Sequence, residues 1–285
     1  MQIAPLIKLA SQRLADSSDS PRLDAELLLG MVLGKSRAQI YSCSDDEINA
    51  ADQALFAKLL EKRRNRVPIA HITGNREFWT LNLKVTPDTL VPRPETELLV
   101  ELTLAKIPKE SSSRVLDLGT GSGAVILAIG SDRPHCHLHA TDISRKALEI
   151  AAENAACSEQ QVNWHEGDWF AALAGETADP NFDIIVSNPP YIGLKENGLT
   201  DPELQFEPDL ALYSGDDGLN AIRAIVQNAP QHLNAEGWLL LEHGFMQGEA
   251  IRALLADHRF VEISTMLDLA GLPRVTSGRM APKAH

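Results

Sequence analysis

The chain has 285 residues, of which 44% are hydrophobic and 23% charged, an ordinary composition for a globular protein large enough for two domains. Its net charge of −13 argues against a protein that mainly grips nucleic-acid phosphates, since such binding needs clustered Lys and Arg. The sequence shows neither a long apolar run that would predict a membrane span nor a signal peptide, and its three cysteines form no CxxC pair, which favours a reducing cytoplasm.

Residues 1–72 predict a helical domain. Pro21 is placed to begin a helix that carries leucines on one face and stops at Gly34. Ser44 and Glu47 match a capping box, which predicts the start of a further helix.

The basic run "EKRRNR" (61–66) falls at the C-terminal end of that further helix. Cations there complement the helix dipole, so we interpret the run as a solvent-exposed helix end. A patch that docks a partner is the alternative.

Residues 73–93 predict a β-hairpin followed by a proline-rich linker. Apolar residues alternate with polar ones from Trp79 to Val85, which is strand periodicity, and Pro87 and Pro92 then prevent the strand from continuing. Pro94 is suited to begin a helix whose first turn is acidic.

Residues 94–285 predict a second domain in which strand and helix patterns alternate from about residue 113 onward. Such alternation indicates an α/β domain that is doubly wound around a mostly parallel sheet. Ligands of these sheets bind at the carboxyl ends of the strands, so the residues just after each strand are the first candidates for a site.

A glycine-rich turn, "VLDLGTGSGA" (115–124), joins the first strand of this domain to its helix. Gly119, Gly121 and Ala124 satisfy the G-x-G-x-x-G/A pattern of dinucleotide-binding proteins. Asp117 and Gly123 extend the pattern to D-x-G-x-G-x-G, which resembles the first motif of S-adenosylmethionine-dependent methyltransferases. That resemblance implies close approach of the backbone to the cofactor and a carboxylate for its ammonium group.

Two later segments suit the same cofactor. Asp142 ends the next strand, where its carboxylate can accept hydrogen bonds from ribose hydroxyls; the alternative is a helix N-cap, with Ser144 as competitor. In the methyltransferase interpretation, Asp168 and Trp169 flank the adenine, while a turn aspartate beside a buried tryptophan is the alternative.

The segment "NPPY" (188–191), which we call the NPPY turn, comes after the apolar strand pattern "FDIIV". Asn188 is held extended because it precedes a proline, and Pro189 and Pro190 have no backbone N–H. The turn therefore offers the Asn188 side-chain oxygen and the Pro189 carbonyl as acceptors, with Tyr191 as a flat wall. This chemistry suits a planar NH₂ group, and a cofactor methyl group beside it predicts direct SN2 transfer to nitrogen.

Together with these motifs, further segments resemble the release-factor glutamine methyltransferases, the PrmC/HemK family. The matching segments include "RLDAELLLG" (22–30), "LVPRPETE" (90–97), "LDLGTGSGAVILA" (116–128), "NPPYI" (188–192), "FEPDLALYSGDDGL" (206–219) and "LLLEHG" (239–244). The resemblance spans nearly the whole chain and implies a class I methyltransferase fold with a mostly parallel seven-stranded sheet.

The resemblance also implies residue roles. S-adenosylmethionine would be the donor, and the glutamine of the Gly-Gly-Gln motif in peptide-chain release factors the acceptor, with the helical domain docking the release factor. The residues implied to bind the cofactor are Asp117, Gly119, Thr120, Gly121, Ser122, Gly123, Asp142, Asp168, Trp169 and Asn188. The residues implied to bind the substrate are Asn188, Pro189, Pro190 and Tyr191, of which Asn188, Pro189 and Tyr191 would act in catalysis.

Other functions stay open at this point. A DNA adenine-N6 methyltransferase shares the acceptor-rich turn, but 26 Lys and Arg against 39 Asp and Glu leave little for phosphate contacts. A dinucleotide oxidoreductase would explain the glycine turn alone, and a non-catalytic binding protein would not need Asn188. The alternating histidines of the segment "HCHLHATD" (135–142) are compatible with a metal site. A strand that leads to Asp142 already explains the alternation, so we expect no metal.

Overall fold

The computed structural model describes residues 1–175, 181–196 and 201–282 and divides the chain into two compact units. The first unit comprises Met1–Asn75 and Asp201–Phe206, and the second comprises Arg76–Thr200 and Glu207–His285. Among the described helices, none combines the length and the apolar character that a membrane crossing requires.

The first unit is helical, and its helices enclose an apolar core of their own that includes Leu14, Leu28 and Phe56. The helices are α1 (Ile3–Leu14), α2 (Pro21–Leu33), α3 (Arg37–Ser42), α4 (Ala50–Arg64) and α5 (Ile69–Thr73). As predicted, Pro21 occupies the first turn of α2, and Gly34 ends that helix in the left-handed conformation at a φ of 60°.

The predicted capping box at Ser44 and Glu47 is wrong. Helix α4 begins at Ala50, and its cap is Asn49, whose side chain accepts a hydrogen bond from the Asp52 backbone N–H. The residues around Ser44 instead pair with the N-terminus, because the Ser44 carbonyl accepts from Ala4 N–H and Glu47 forms an antiparallel bridge with Gln2. A backbone committed to these extended pairings cannot cap a helix.

The solvent-exposed interpretation of the basic run is wrong for Arg63. Its side chain is 5% exposed, its Nε donates to Asp24 at 2.5 Å, and its Nη1 pairs with Glu203 at 2.6 Å. A guanidinium can be buried when carboxylates satisfy its donors, and here it joins residues 201–206 to the helices of the same unit. Arg64, which is 49% exposed, does lie at the surface as predicted.

The second unit begins with a hairpin of β1 (Asn75–Phe78) and β2 (Leu81–Lys84). The predicted alternation through Trp79 is wrong, because Trp79 has a φ of 56° and lies in the turn between the strands. Phe78, which is 2% exposed, supplies the buried aromatic ring instead.

The rest of the second unit is the doubly wound α/β domain that the alternation predicted. Its strands are β3 (Arg114–Leu118), β4 (His137–Asp142), β5 (Val162–Glu166), β6 (Phe182–Ser187), β7 (Leu233–Glu242), β8 (Phe260–Leu267) and β9 (Pro273–Met280). Its helices are α6 (Glu97–Leu104), α7 (Ala124–Asp132), α8 (Arg145–Cys157), α9 (Asp209–Leu212), α10 (Asn220–Asn228) and α11 (Gly248–Asp257). A 3₁₀ turn at Pro94–Thr96 precedes α6.

The seven strands form one sheet in the order β5-β4-β3-β6-β7-β9-β8, and separate apolar clusters cover its two faces. Strands β3 to β7 pair in parallel, and β9 is antiparallel to both β7 and β8. The chain moves from β3 to one side through β4 and β5, then crosses to the other side through β6. The carboxyl ends of β3 and β6 therefore meet where the winding reverses, the usual place for a ligand in such folds.

Two buried histidines lie between neighbouring strands on one face of the sheet. The His139 and His165 rings are stacked, with His139 Nδ1 3.2 Å from His165 Nε2, and Phe182 meets the His139 ring edge-on. Burial lowers the pKa of His139 to about 4, helped by the positive charge of Arg114. The folded protein thus holds this imidazole neutral.

We expect His139 to make the protein sensitive to acid. The His139 pKa is lower when folded than when unfolded, so its contribution is complete above the unfolded pKa of about 6.5 and is lost as the pH falls towards 4. Thermal unfolding of His139→Gln should show a smaller drop between pH 7 and pH 5 than the wild type. His135→Gln, at an exposed histidine just before the same strand, should retain the full drop; equal slopes in all three proteins would contradict the assignment.

Candidate active site

Strand register brings the predicted site residues together. Leu118 of β3 lies opposite Thr141 of β4 and opposite Ser187 of β6. The glycine turn, Asp142 and the NPPY turn therefore leave three adjacent strands at the same level. Residues separated by up to about seventy positions in sequence meet at one edge because parallel strands all end there.

The glycine turn folds back on β4. Gly119 and Thr120 both donate their backbone N–H to the Thr141 carbonyl, at 2.9 and 3.0 Å. The turn needs positive φ at Gly119, Gly121 and Gly123, with values of 71°, 57° and 83°. A Cβ on Gly121 would meet no atom within 4 Å and would project into open space, whereas a Cβ on Gly123 would press against Leu127 and Ala151.

Asp142 is held at the edge of the open space by backbone donors. Its carboxylate oxygens accept hydrogen bonds from Gly121 N–H at 2.9 Å and Ser144 N–H at 2.8 Å. Ser144, whose Oγ accepts from Ala147 N–H, is the N-cap of α8, so the alternative interpretation of Asp142 as that cap is wrong. Burial raises the pKa of Asp142, while the backbone donors favour the ionised form, and each oxygen keeps a further acceptor position.

Asp117 is buried beneath the glycine turn rather than on its open side. It is 1% exposed and accepts a hydrogen bond from the Thr120 hydroxyl at 2.6 Å. Burial raises its pKa to about 7, and the nearby Asp142 carboxylate acts in the same direction. Ser122 is also buried, and its carbonyl accepts from the Asn154 side chain, so Thr120 and Ser122 shape the turn from below.

Asp168 and Trp169 come after β5 and close one side of the same space. Trp169 has a φ of 45°, a left-handed conformation, and its ring lies against Gly119, where a Cβ would come within 3.1 Å of the ring. Gly119 therefore allows the tryptophan ring to reach the glycine turn. Asp168 lines the cavity beside it.

The NPPY turn is anchored by its side chains. Asn188 Nδ2 donates to Thr96 Oγ1 at 3.2 Å, so the Asn188 Oδ1 remains as an acceptor. Asn188 and Pro190 line the cavity, Pro189 is buried, and Tyr191 is largely buried with its hydroxyl 3.5 Å from Glu242 Oε1. Burial raises the pKa of the Tyr191 phenol, which stays protonated.

The backbone after the turn is fixed from two sides. Ile192 forms a parallel bridge with Tyr213, and the Gln247 side chain donates to the Tyr191 carbonyl at 2.9 Å. A Cβ at Gly218 would lie 2.1 Å from that carbonyl oxygen, so only glycine allows this approach. The turn is consequently held in place by contacts with the surrounding protein.

These elements surround a cavity of about 540 Å³. The cavity is lined by Gly119, Gly121, Asp142, Asp168, Trp169, Asn188 and Pro190 from the predicted set, and by residues 87–90 and 208–221 in part. Asp117, Thr120, Ser122, Gly123, Pro189 and Tyr191 contribute no lining to it.

Sequence reasoning did not assign the last two segments to the site. Glu207 joins them, because its carboxylate accepts from Val91 N–H at 3.0 Å and pairs with Arg93. Both segments had been noticed in the sequence, as the proline-rich run and as "FEPDLALYSGDDGL", but neither was predicted to bind a ligand. Thr96 and Glu242, the hydrogen-bond partners of Asn188 and Tyr191, were not predicted to belong to the site either.

The cavity fits the cofactor that the resemblance implies. The open side of Gly121 admits a ligand against the backbone, and Asp142 presents a carboxylate at the end of β4. Trp169, whose ring lies against Gly119, adds an aromatic surface to the cavity. The cavity thus offers a carboxylate for ribose hydroxyls and an aromatic ring for a base, the groups that a nucleoside requires.

The histidine segment shows a different arrangement from a metal site. His137 and His135 are exposed, whereas His139 is buried against His165. Across residues 1–175, 181–196 and 201–282, no group of three or more His, Cys, Asp or Glu side chains is placed to hold a metal ion.

Comparison with known proteins places the chain in a family. The PrmC N-terminal domain model matches residues 5–74, and the methyltransferase small domain model matches residues 95–200. A release factor glutamine methyltransferase of Coxiella burnetii is 46% identical over 98% of this chain and 99% of its own length. One of Xylella fastidiosa is 48% identical over 90% of this chain and 93% of its own length.

Solved structures agree on the fold. A methyltransferase from Pyrococcus furiosus matches with a TM-score of 0.52 at 17% identity, covering 70% of this chain and 89% of that one. The two release factor glutamine methyltransferases match this chain at more than twice this sequence identity, and their matches span both units. This chain belongs to the release factor glutamine methyltransferase family.

Proposed function

We propose that this protein transfers a methyl group from S-adenosylmethionine to the side-chain amide nitrogen of the glutamine in the Gly-Gly-Gln motif of peptide-chain release factors. The observation that carries the proposal is the orientation of Asn188. Its amide nitrogen is engaged by Thr96, so an amide oxygen is presented at the cavity beside the glycine turn. An acceptor oxygen is what a substrate NH₂ group requires.

The cofactor would be held by the cavity wall of β3, β4 and β5. Asp142 has acceptor positions for ribose hydroxyls, Gly119 and Gly121 provide backbone without side chains, and Asp168 with Trp169 would flank the adenine. Asp117, in its ionised form, would attract the ammonium group from beneath the glycine turn. When bound, S-adenosylmethionine would supply its methyl group as the electrophile for direct SN2 transfer: the N–C bond forms as the S–C bond breaks, S-adenosylhomocysteine leaves as a neutral thioether, and the amide nitrogen releases one proton.

The NPPY turn would hold the acceptor. An amide nitrogen is a weak nucleophile because its lone pair is delocalised into the carbonyl. Asn188 Oδ1 would accept one of its hydrogens, and this hydrogen bond strengthens as positive charge develops on the nitrogen. The rigid turn would also align the nitrogen with the methyl group. Tyr191 would restrict the plane of the amide.

Partner and compartment are inferred from the same family assignment. The helical unit, residues 1–72 in the predicted division, would dock the release factor, while residues 94–285 carry out the transfer and 73–93 connect them. Free cysteines at positions 43, 136 and 157 are compatible with the cytoplasm, where release factors act.

DNA adenine-N6 methylation is the competing activity, because an exocyclic amine is also a planar NH₂ group. The excess of 39 acidic over 26 basic residues disfavours it. Purified protein with labelled methyl donor should label release factor and should not label a release factor whose motif glutamine is replaced. Label on DNA and none on release factor would show that DNA adenine methylation is the activity and would contradict the proposed function.

We expect Asp142→Asn to weaken cofactor binding. The change removes a charged acceptor, and a hydrogen bond to a charged group is worth about 1.5–3 kcal/mol, so Kd should rise roughly 10- to 100-fold. Calorimetric titration with S-adenosylhomocysteine measures the change. Asp209→Asn, an exposed carboxylate just outside the cavity, is the control and should bind normally. An unchanged Kd for Asp142→Asn would remove the ribose role.

We expect Asn188→Ala to separate binding from transfer. The substitution removes an acceptor that strengthens in the transition state, so turnover should fall on the order of 100- to 1,000-fold. S-adenosylhomocysteine affinity should change much less. Asn228→Ala, at the exposed end of α10, should have normal turnover. Near-normal turnover of the Asn188 variant would mean that another group holds the acceptor.

A further inference from the structure

Part of the cavity wall is built from two chain segments that are far apart in sequence. One segment is residues 87–90, from the region predicted to be a linker, and the other lies within residues 208–221. Val91 directly follows the first segment, and Glu207 directly precedes the second. A contact between Val91 and Glu207 therefore joins the two segments where each leaves the wall.

Glu207 makes this contact through a fully buried carboxylate. Its side chain is 0% exposed, its Oε2 accepts a hydrogen bond from Val91 N–H at 3.0 Å, and its Oε1 pairs with Arg93. A buried carboxylate is costly unless its oxygens are satisfied, and both oxygens are satisfied here by groups just beyond residue 90. We call the Glu207 carboxylate, the Val91 N–H and the Arg93 guanidinium the Glu207 clasp.

The first segment is fixed at its other end as well. The Asn154 side chain accepts from Lys84 N–H at 2.7 Å and donates to the Lys84 carbonyl at 3.0 Å. It also donates to the Ser122 carbonyl in the glycine turn, at 2.9 Å. Residues 87–90 are thus held between an anchor behind the glycine turn and the Glu207 clasp.

The first segment lies on the side of the cavity where the cofactor is expected. Asp88 Oδ1 accepts a hydrogen bond from Lys146 Nζ at 3.0 Å. Lys146 is in the first turn of α8, a helix that starts three residues after Asp142, and its neighbour Ala147 lines the same cavity. Residues 87–90 therefore lie beside the carboxylate that is expected to meet the ribose.

We propose that Glu207 is a positioning residue for S-adenosylmethionine. By joining residues 87–90 to the segment that begins at Pro208, it keeps the cavity in the shape that binds the cofactor. Glu207 and Arg93 are not among the residues that line the cavity, so the clasp acts through the lining segments and not by contact with the ligand. The inference rests on the function proposed above, and it assigns part of the predicted linker to the cofactor site.

Loss of the clasp should change cofactor affinity more than chemistry. If the wall is in its binding position for only a fraction of the time, the apparent Kd rises by the inverse of that fraction. A wall that is correctly placed about one tenth of the time raises Kd about 10-fold, whereas saturating ligand still selects the placed wall. The expected signature is a raised Kd and a raised KM for the cofactor, with kcat nearly unchanged.

The experiment compares Glu207→Gln, Arg93→Met and the double variant with the wild type by calorimetric titration with S-adenosylhomocysteine. The glutamine presents an NH₂ group to one of the two donors, so the clasp is incomplete and Kd should rise about 10-fold. Arg93→Met keeps the bond to Val91 and should raise Kd less. The double variant should bind no more weakly than Glu207→Gln, because both residues belong to one clasp.

Two features keep the comparison interpretable. Glu249→Gln, which neutralises an exposed carboxylate on α11, is the control for the loss of charge and should bind as the wild type does. Arg93 is 31% exposed, so Arg93→Met tests the clasp even if Glu207→Gln fails to fold.

Titration also reports what fraction of the molecules can bind. A lower binding fraction or a lower unfolding temperature at unchanged Kd would give Glu207 a merely structural role and overturn the inference. Losses that multiply in the double variant would overturn it too, as would a fall in kcat at saturating cofactor as large as the loss of affinity. Wild type that binds S-adenosylhomocysteine but does not methylate release factor would refute the proposed acceptor, while the Kd comparison would still decide the role of Glu207.

Discussion

The parallel register of β3 with β4 on one side and β6 on the other is the constraint on which the site depends. Leu118 is level with both Thr141 and Ser187, so the glycine turn, Asp142 and the NPPY turn emerge side by side. The hydrogen bonds of Gly119 and Thr120 to the Thr141 carbonyl then lock the first turn onto β4. A shift of one residue in either pairing would separate groups that now meet at one edge of the sheet.

The site combines rigidity with buried charge. Asp117 and Glu242 are both 1% exposed, and burial raises the pKa of each to about 7. One lies under the glycine turn and the other behind the NPPY turn. Asp117 accepts a hydrogen bond from the Thr120 hydroxyl, and Glu242 Oε1 lies 3.5 Å from the Tyr191 hydroxyl. Both carboxyl groups thus lie behind the turns, and neither lines the cavity.

Several expectations were limited by what a local pattern can reveal. The box at Ser44 and Glu47 had the right residue types, but the pairing of this segment with the N-terminus determined its conformation. Arg63 looked like an exposed helix end because its partners, Asp24 and Glu203, are 39 and 140 residues away. Trp79 continued an alternation that a positive φ interrupts. In each case a long-range contact or an unusual backbone conformation prevailed over propensity.

The sequence by itself determined the fold class, the strands and their order along the chain, and the residue types at the strand ends, because apolar periodicity and the demands of glycine and proline are local properties. It also identified the glycine turn, Asp142 and the NPPY turn as candidate site residues. Only the tertiary structure decided that Thr96 engages the Asn188 amide nitrogen, that Asp117 lies beneath the glycine turn, and that parts of 87–90 and 208–221 contribute to the wall. Those outcomes depend on hydrogen bonds between residues far apart in sequence, such as Asn188 with Thr96 and Glu207 with Val91, which no local pattern encodes.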